Sequence, residues 1–220
     1  MNGVHESQHP LVKEKLTILR DPATPPKTFR AVMRSLTTLR MYEATRDLKI
    51  EPVSVITPLQ AKAQGVRLAD RVGLVPILRA GLGMVDGALD LLPDAQVWHI
   101  GLYRDEETLR PVTYYNKLPR KPRVDVCFVL DPMLATGGSA VATVSILKEW
   151  GVERVAFVGI LAAPEGVDHL QSHHPDTAIY VAHVDDHLTP PPQRPDDPPA
   201  GFIVPGLGDA GDRLFGTEPQ

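Results

Sequence analysis

Residues 124–139 read VDVCFVLDPMLATGGS, and the architecture follows from them. The stretch 124–130 is a nearly unbroken apolar run, as expected of a strand buried on both faces of a sheet. Asp131 to Ser139 then brings a proline, paired glycines and the hydroxyls of Thr136 and Ser139, which end the strand in a loop. From Ser139 to Trp150 the apolar spacing predicts a helix. Strand, glycine loop and helix in that order form one half of a βαβ unit.

The same alternation extends both ways. Toward the C-terminus, RVAFVGILAA (154–163) predicts a strand, Pro164 to His173 a helix and TAIYVAHV (177–184) a last strand. Toward the N-terminus, VSVIT (53–57), VGLVPIL (72–78) and QVWHIGL (96–102) predict strands, with a helix from Gly81 to Leu92. The first third is helical. HPLVKEKLTILR places Leu11, Lys15, Ile18 and Leu19 on one stripe. After Pro25-Pro26, a second helix turns Phe29, Val32, Met33, Leu36, Leu39 and Met41 inward, with proline in its opening turn. Strands alternating with helices imply an α/β fold with a mostly parallel central sheet flanked by helices. Ligands in such sheets bind beyond the carboxyl ends of the strands, which directs attention to the loops after residues 78, 102, 130 and 184. There is no internal repeat and no heptad pattern.

Composition narrows the function classes. The chain has 220 residues, 43% hydrophobic, enough to bury a full core in one large domain or two small ones. Its 22 prolines are about twice the usual share, yet no glycine period accompanies them, so a collagenous or wholly disordered chain is excluded. Lys plus Arg is 23 against 27 Asp plus Glu, and a net charge of -4 gives no bulk attraction to nucleic acid. The single cysteine, Cys127, excludes an internal disulfide and a cysteine-based metal cage, which suits a reducing cytosol. No stretch approaches the ~20 apolar residues of a membrane helix, so a cytoplasmic protein is expected.

The loop DPMLATGGS has the chemistry of a phosphate cradle. Glycines let main-chain N–H groups turn inward, Thr136 and Ser139 add hydroxyl donors, and a helix N-terminus adds partial positive charge. Neither GxGxxG nor GxxxxGK[ST] is present, so this is neither a dinucleotide fingerprint nor an ATP P-loop. The alternative is a glycine-rich turn with Ser139 as helix N-cap.

The longer pattern resembles the phosphoribosyl-diphosphate (PRPP) motif of type I phosphoribosyltransferases, and DPMLATGGS is similar to the form found in uracil phosphoribosyltransferases. Most of that superfamily has two adjacent acidic residues here, whereas this chain has Asp131 followed by Pro132, as in the uracil branch. The resemblance continues through HPLV, YEAT (42–45), PILRAGLGM (76–84), YR and EETL (103–109), AAPEG (162–166) and IVPGLGDAGDRLFGT (203–217). It implies a type I phosphoribosyltransferase-like fold over one domain, 1–220. A flexible flap would span about 103–120, and a small base-binding hood would form from N- and C-terminal segments. The implied reaction joins uracil to PRPP, giving UMP and pyrophosphate.

That reaction separates charge: the ribose C1 becomes positive as the diphosphate departs. The resemblance assigns catalytic roles to Arg79, Arg104, Asp131 and Asp209. PRPP contacts fall on Arg79, Arg104, Asp209 and the run Asp131, Pro132, Met133, Leu134, Ala135, Thr136, Gly137, Gly138 and Ser139. The planar fork of an arginine suits diphosphate oxygens, and an aspartate beside the ribose can accept its hydroxyls. Uracil contacts fall on Ile203, Gly208, Asp209 and Ala210, where glycines allow a main-chain-lined slot to read the base. Mg2+ is expected mainly through the diphosphate, with no dedicated protein site. Family members associate as homodimers or larger homo-oligomers and some respond to GTP, although no GTP site is identifiable here. An RNA-binding regulator on the same fold is opposed by the acidic balance and the complete PGLGDAGD loop.

Other features have plainer readings. His173, His174, His183 and His187, with Asp185 and Asp186, lack the ligand spacing of a metal site. Cys127 belongs to a core strand, and Asp105-Glu106-Glu107 reads as a solvated face. Six of the prolines fall between Pro190 and Pro199, within an apparent insertion at about 188–201, next to the base loop 202–212. There Phe202 stands where the family commonly has tyrosine. The insertion reads either as neutral or as a stiff brace on the base loop.

Overall fold

A computed structural model describes residues 3–104, 111–116, 118–194 and 196–217, and within 102–117 only the main chain is described. Elements are numbered in chain order. The central sheet runs β1 (Val4–Glu6), β12 (Ala178–Val181), β10 (Arg154–Val158), β8 (Val126–Leu130), β4 (Val72–Pro76) and β5 (Gln96–Val97). Every neighbouring pair is parallel. The apolar run at β8 has a simple cause. Val126, Phe128 and Leu130 enter one hydrophobic core, and Cys127 and Val129 enter a second on the opposite face. Cys127 is fully buried, and that burial pushes its thiol up to about 12, so it is a core residue.

Helices α1 (Pro10–Arg20), α2 (Pro26–Ala44), α3 (Leu82–Leu91) and the short α6 (Ala210–Phe215) pack on the first core. Helices α4 (Gly138–Trp150) and α5 (Pro164–His173) pack on the second. No described helix is long and apolar enough to cross a membrane. Two of the inward faces differ from expectation. In α1 the buried residues are Val12, Leu16 and Leu19, which pack with α2 in the first core, while Leu11 is exposed. In α2, Phe29, Met33, Leu36 and Met41 are buried as expected, but so are Thr37 and Arg40. Arg40 is inconspicuous in the sequence because Glu43, three residues on, gives it the look of a surface pair; their ion pair at 2.9 Å holds it inside.

Three central strands break and re-pair. β9 (Met133–Leu134), β11 (Leu161–Ala162) and β13 (His183–Val184) form a parallel sheet in the order β13-β11-β9, matching β12-β10-β8. The runs 154–163 and 177–184 are therefore each two strands, and 131–139 contains a strand within its loop. The break has a local cause: Pro132 has no N–H to donate, and its carbonyl accepts the amides of Ile160 and Leu161 at 3.0 and 2.9 Å. The expected strand 96–102 also divides. Trp98 N still bonds Leu74 O at 2.9 Å, but β6 (Ile100–Arg104) leaves the sheet to pair antiparallel with β7 (Pro111–Asn116). A second hairpin, β2 (Ile50–Ile56) with β3 (Lys62–Leu68), exposes Ile50, Val55, Ile56, Val66 and Leu68. Its second strand, like β1 and β14 (His187–Leu188), lacks a clear apolar signal in the sequence. β14 pairs antiparallel with β15 (Ile203–Val204).

Candidate functional site

From β4 the chain moves to the sheet edge at β5, then returns beside β4 as β8 and continues to β10 and β12. The loops leaving β4 and β8 therefore diverge, opening a crevice at the carboxyl ends of neighbouring strands. The first loop carries Arg79. Ile77 N donates to Leu130 O and Gly81 N to Ile77 O, both at 2.9 Å, which ties the loop to β8. A Cβ on Gly81 would lie 2.4 Å from Leu130 O, so only glycine permits this closure. The Arg79 side chain is 62% exposed, and its Nη2 lies 3.2 Å from Asp212 Oδ1.

The second loop begins at Asp131, whose amide donates to Val158 O at 3.2 Å. Its carboxylate accepts from Met133 N at a long 3.4 Å. Burial pushes this carboxyl up to about 7, and the Met133 amide opposes the rise only in part. Such a group is poised to accept a hydroxyl or a cation brought by a ligand. Pro132 and Leu134 are buried, with their carbonyls already bonded to the chain at 160–163, so they shape the loop from behind. At the far end Gly137, at φ 79°, occupies the N-cap of α4, and no side chain bonds there. Ser139 is consequently exposed inside the first turn and is not the cap. The unpaired amides of that turn and the helix dipole face the loop. The loop rests on α5. A Cβ on Gly166 would lie 2.3 Å from Ala135 O and 2.5 Å from Leu134 O. His169 Nδ1 donates to Thr136 O at 2.7 Å.

The third segment is the loop from β15 into α6. Ile203 and Ala210 point their side chains into the core, so either could meet a ligand only through the main chain. Gly206 and Gly208 adopt φ 61° and 80°. Asp209 caps α6 by accepting from Asp212 N at 2.8 Å. A hydrogen bond from Thr217 and the Arg79 guanidinium hold the Asp212 carboxyl below its usual range. A Cβ on Gly211 would stand 3.2 Å from Asp209 Oδ1 and 3.7 Å from Arg79 Nη2. The absence of a side chain there thus brings Arg79 and Asp209 to the same helix turn. Thr189 ties the two sides of the proline-rich segment together. Thr189 Oγ1 donates to Pro199 O at 2.6 Å and accepts from Phe202 N at 2.9 Å. Where that segment ends, Gly201 lies against Thr136, its Cβ position 3.5 Å from Thr136 Cγ2.

Of the expected residues, Arg79 and Asp209 both lie at the first turn of α6, and Asp131 to Ser139 form one continuous loop into α4, with Pro132 and Leu134 on its buried side. Arg104 ends β6, but its side chain, like all of Asp105-Glu106-Glu107, lies outside the described residues. The histidines sit in separate pairings: His173 with the His169 ring, His174 with Ser145 at 2.9 Å, and His183 with Glu6. The sequence does not single out Asp212, His169 or Arg20, which touch these loops. Asp212 lies within PGLGDAGD and could have been found there, and Asp185 opens the loop after residue 184; His169 and Arg20 carry no local signal.

Residues 6–217 match the model of a family described as Uracil phosphoribosyltransferase. A uracil phosphoribosyltransferase of Roseiflexus sp. (strain RS-1) is 61% identical over 217 residues, covering 99% of this chain and all of the relative. That of Bacillus licheniformis is 51% identical over 218 residues, with the same coverage. Among solved structures, the AQ2163 protein from Aquifex aeolicus superposes with a TM-score of 0.87 at 34% identity, covering 99% of this chain and 100% of that one.

Proposed function

We propose a residue-level account of catalysis on one premise: the chain belongs to the uracil phosphoribosyltransferase family. Its reaction is transfer of the 5-phosphoribosyl group from PRPP to uracil, giving UMP and pyrophosphate. One observation supports the placement of the chemistry. Arg79 and the glycine-opened start of α4 sit on loops that diverge from adjacent strands β4 and β8.

In this account the loop Asp131 to Ser139 holds the 5-phosphate on the first-turn amides of α4 and the hydroxyls of Thr136 and Ser139. Arg79 and Arg104 hold the diphosphate and stabilise the negative charge that grows on it. Asp131 accepts the ribose hydroxyls and offsets positive charge developing on the sugar. Uracil lies on the main chain at Ile203, Gly208, Asp209 and Ala210, with one ring nitrogen aimed at C1. Positioning and electrostatics supply most of the rate. Among the described residues no three His, Cys, Asp or Glu side chains converge as a metal cage. Mg2+ would be held chiefly through the PRPP diphosphate, with Asp131 as this chain's carboxylate beside the ribose, and would supply neutralisation of the leaving group.

The working unit in this account is a cytoplasmic homodimer or larger homo-oligomer, one domain per chain. The exposed apolar residues of the β2–β3 hairpin support self-association. The test is a spectroscopic assay of UMP formation over a panel of bases, with and without Mg2+ and GTP. Uracil alone should turn over, and Arg104→Ala should abolish most of it. Turnover of hypoxanthine or orotate without uracil would overturn the substrate.

A further inference from the structure

Asp185 follows β13, and its amide donates to Ala162 O at 2.8 Å, fixing it at the end of β11. Its carboxylate is fully buried. Oδ1 accepts from Arg20 Nη2 at 2.5 Å; Oδ2 accepts from Arg20 Nη1 at 2.9 Å and from Gly206 N at 2.8 Å. Arg20 is the last residue of α1, and its Nη1 also donates to Gly206 O at 2.7 Å. Both polar groups of one glycine are thus held, the amide by the anion and the carbonyl by the cation. The two charges also neutralise each other.

Gly206 is where that grip has most effect. A Cβ there would lie 2.0 Å from Ile203 O, so residues 203–206 form a turn with no slack. Fixing Gly206 therefore fixes the offset between Ile203 and the run that starts at Gly208, the two sides of the base slot. Their side chains cannot correct an error, since Ile203 points into the core and Gly208 has none. We infer that Arg20 and Asp185 are positioning residues that set the register of the base-binding main chain and so its selectivity for uracil. This rests on the assignment of 203–210 as the base slot. A slot built from N–H and C=O groups discriminates bases only if those groups stay within hydrogen-bonding distance, and uracil and cytosine differ there at two adjacent positions, N3 and the substituent on C4.

The experiment compares Arg20→Lys, Asp185→Asn and Gly208→Ala by separate KM values for uracil and PRPP, by kcat, by the uracil-to-cytosine ratio and by melting temperature. Lysine keeps the charge but not the fork that reaches Asp185 and Gly206 together. Arg20→Lys and Asp185→Asn are each expected to raise the uracil KM roughly tenfold, the scale of one lost charge-assisted hydrogen bond, with the PRPP KM within about twofold. The double variant should be no worse than the poorer single, because the pair acts as one unit. An unchanged uracil KM, or uracil and PRPP KM values rising together, overturns the inference. Should Asp185→Asn fail to fold, Arg20→Lys decides alone, since that side chain reaches the surface. Gly208→Ala separates the levels. If it leaves the uracil KM unchanged, the base-slot assignment fails; if it raises the KM while Arg20→Lys does not, only the positioning role fails.

Discussion

Arg79 Nη2 lies 3.2 Å from Asp212 Oδ1, which joins the loop after β4 to the first turn of α6. The arginine assigned to the diphosphate thus pairs with the helix that follows the proposed base slot. The pair is weak, because Arg79 is 62% exposed and solvent screens it.

Asp212→Asn should accordingly tighten PRPP binding in the absence of uracil by no more than about fivefold, the ceiling for an exposed pair near 1 kcal/mol. Arg79→Ala removes charge-assisted bonds to the ligand itself and should weaken PRPP by roughly tenfold to a hundredfold. Calorimetric titration with PRPP checks both. A loss of affinity in Asp212→Asn would mean that Asp212 supports Arg79 rather than competing for it.

The Asp131 carboxyl has a folded pKa of about 7, above its reference of 3.8. The neutral form is therefore the one the free fold favours. Its contribution is complete below pH 4 and is lost as pH rises through 7. Asp131→Asn, which cannot ionise, should melt higher than the parent chain at pH 8 by roughly 2–4 °C or more, with the gap closing toward pH 4. Its UMP synthesis should fall steeply at the same time. Melting curves at pH 4, 6 and 8 test the sign, and a gap that widens on acidification would refute it.

Gly166 gives the phosphate loop its floor: a Cβ there would meet Ala135 O at 2.3 Å. Backbone cannot yield as a flexible side chain can, so Gly166→Ala should cost about 1–3 kcal/mol and raise the PRPP KM more than the uracil KM. Urea melts and paired KM measurements give both quantities.

Thr189 ties the two sides of the proline-rich segment together with bonds to Pro199 and Phe202. Thr189→Val should cost about 1–2 kcal/mol and raise the uracil KM, since Phe202 adjoins Ile203. Replacing 191–198 by a short glycine linker should leave both unchanged. A higher uracil KM in the linker variant would show that the prolines themselves brace the slot.

Arg40 is wholly buried, and its Nε finds no hydrogen-bond partner among the described residues. Arg40→Met removes one partner only and leaves Glu43 and His5 O without it, so it should destabilise by about 1–3 kcal/mol. Thermal melting at neutral pH decides.

The central strands, the order of helices and the glycine-bearing loop into α4 are all legible in the amino-acid sequence. Each has a local signature: a run of apolar residues for β8, glycine and hydroxyls ahead of a helix for 131–139. Inward faces are less legible. Arg40 and Asp185 are buried against their hydropathy, and in α1 Val12 is buried while Leu11 is exposed. Two of the sheet breaks carry a mark, Pro132 and Gly159, whereas the apolar run at 177–184 passes through its break without a change in character.

Family and reaction can be read along the chain because they depend on residues that are neighbours in it. The junctions of the site cannot. Arg79 meets Asp212 across 133 positions, and Arg20 meets Asp185 across 165. A charged residue carries no mark of which opposite charge it will meet at such a separation. Only the return of the chain beside β4, and the docking of its last loop against α1, settles those partners.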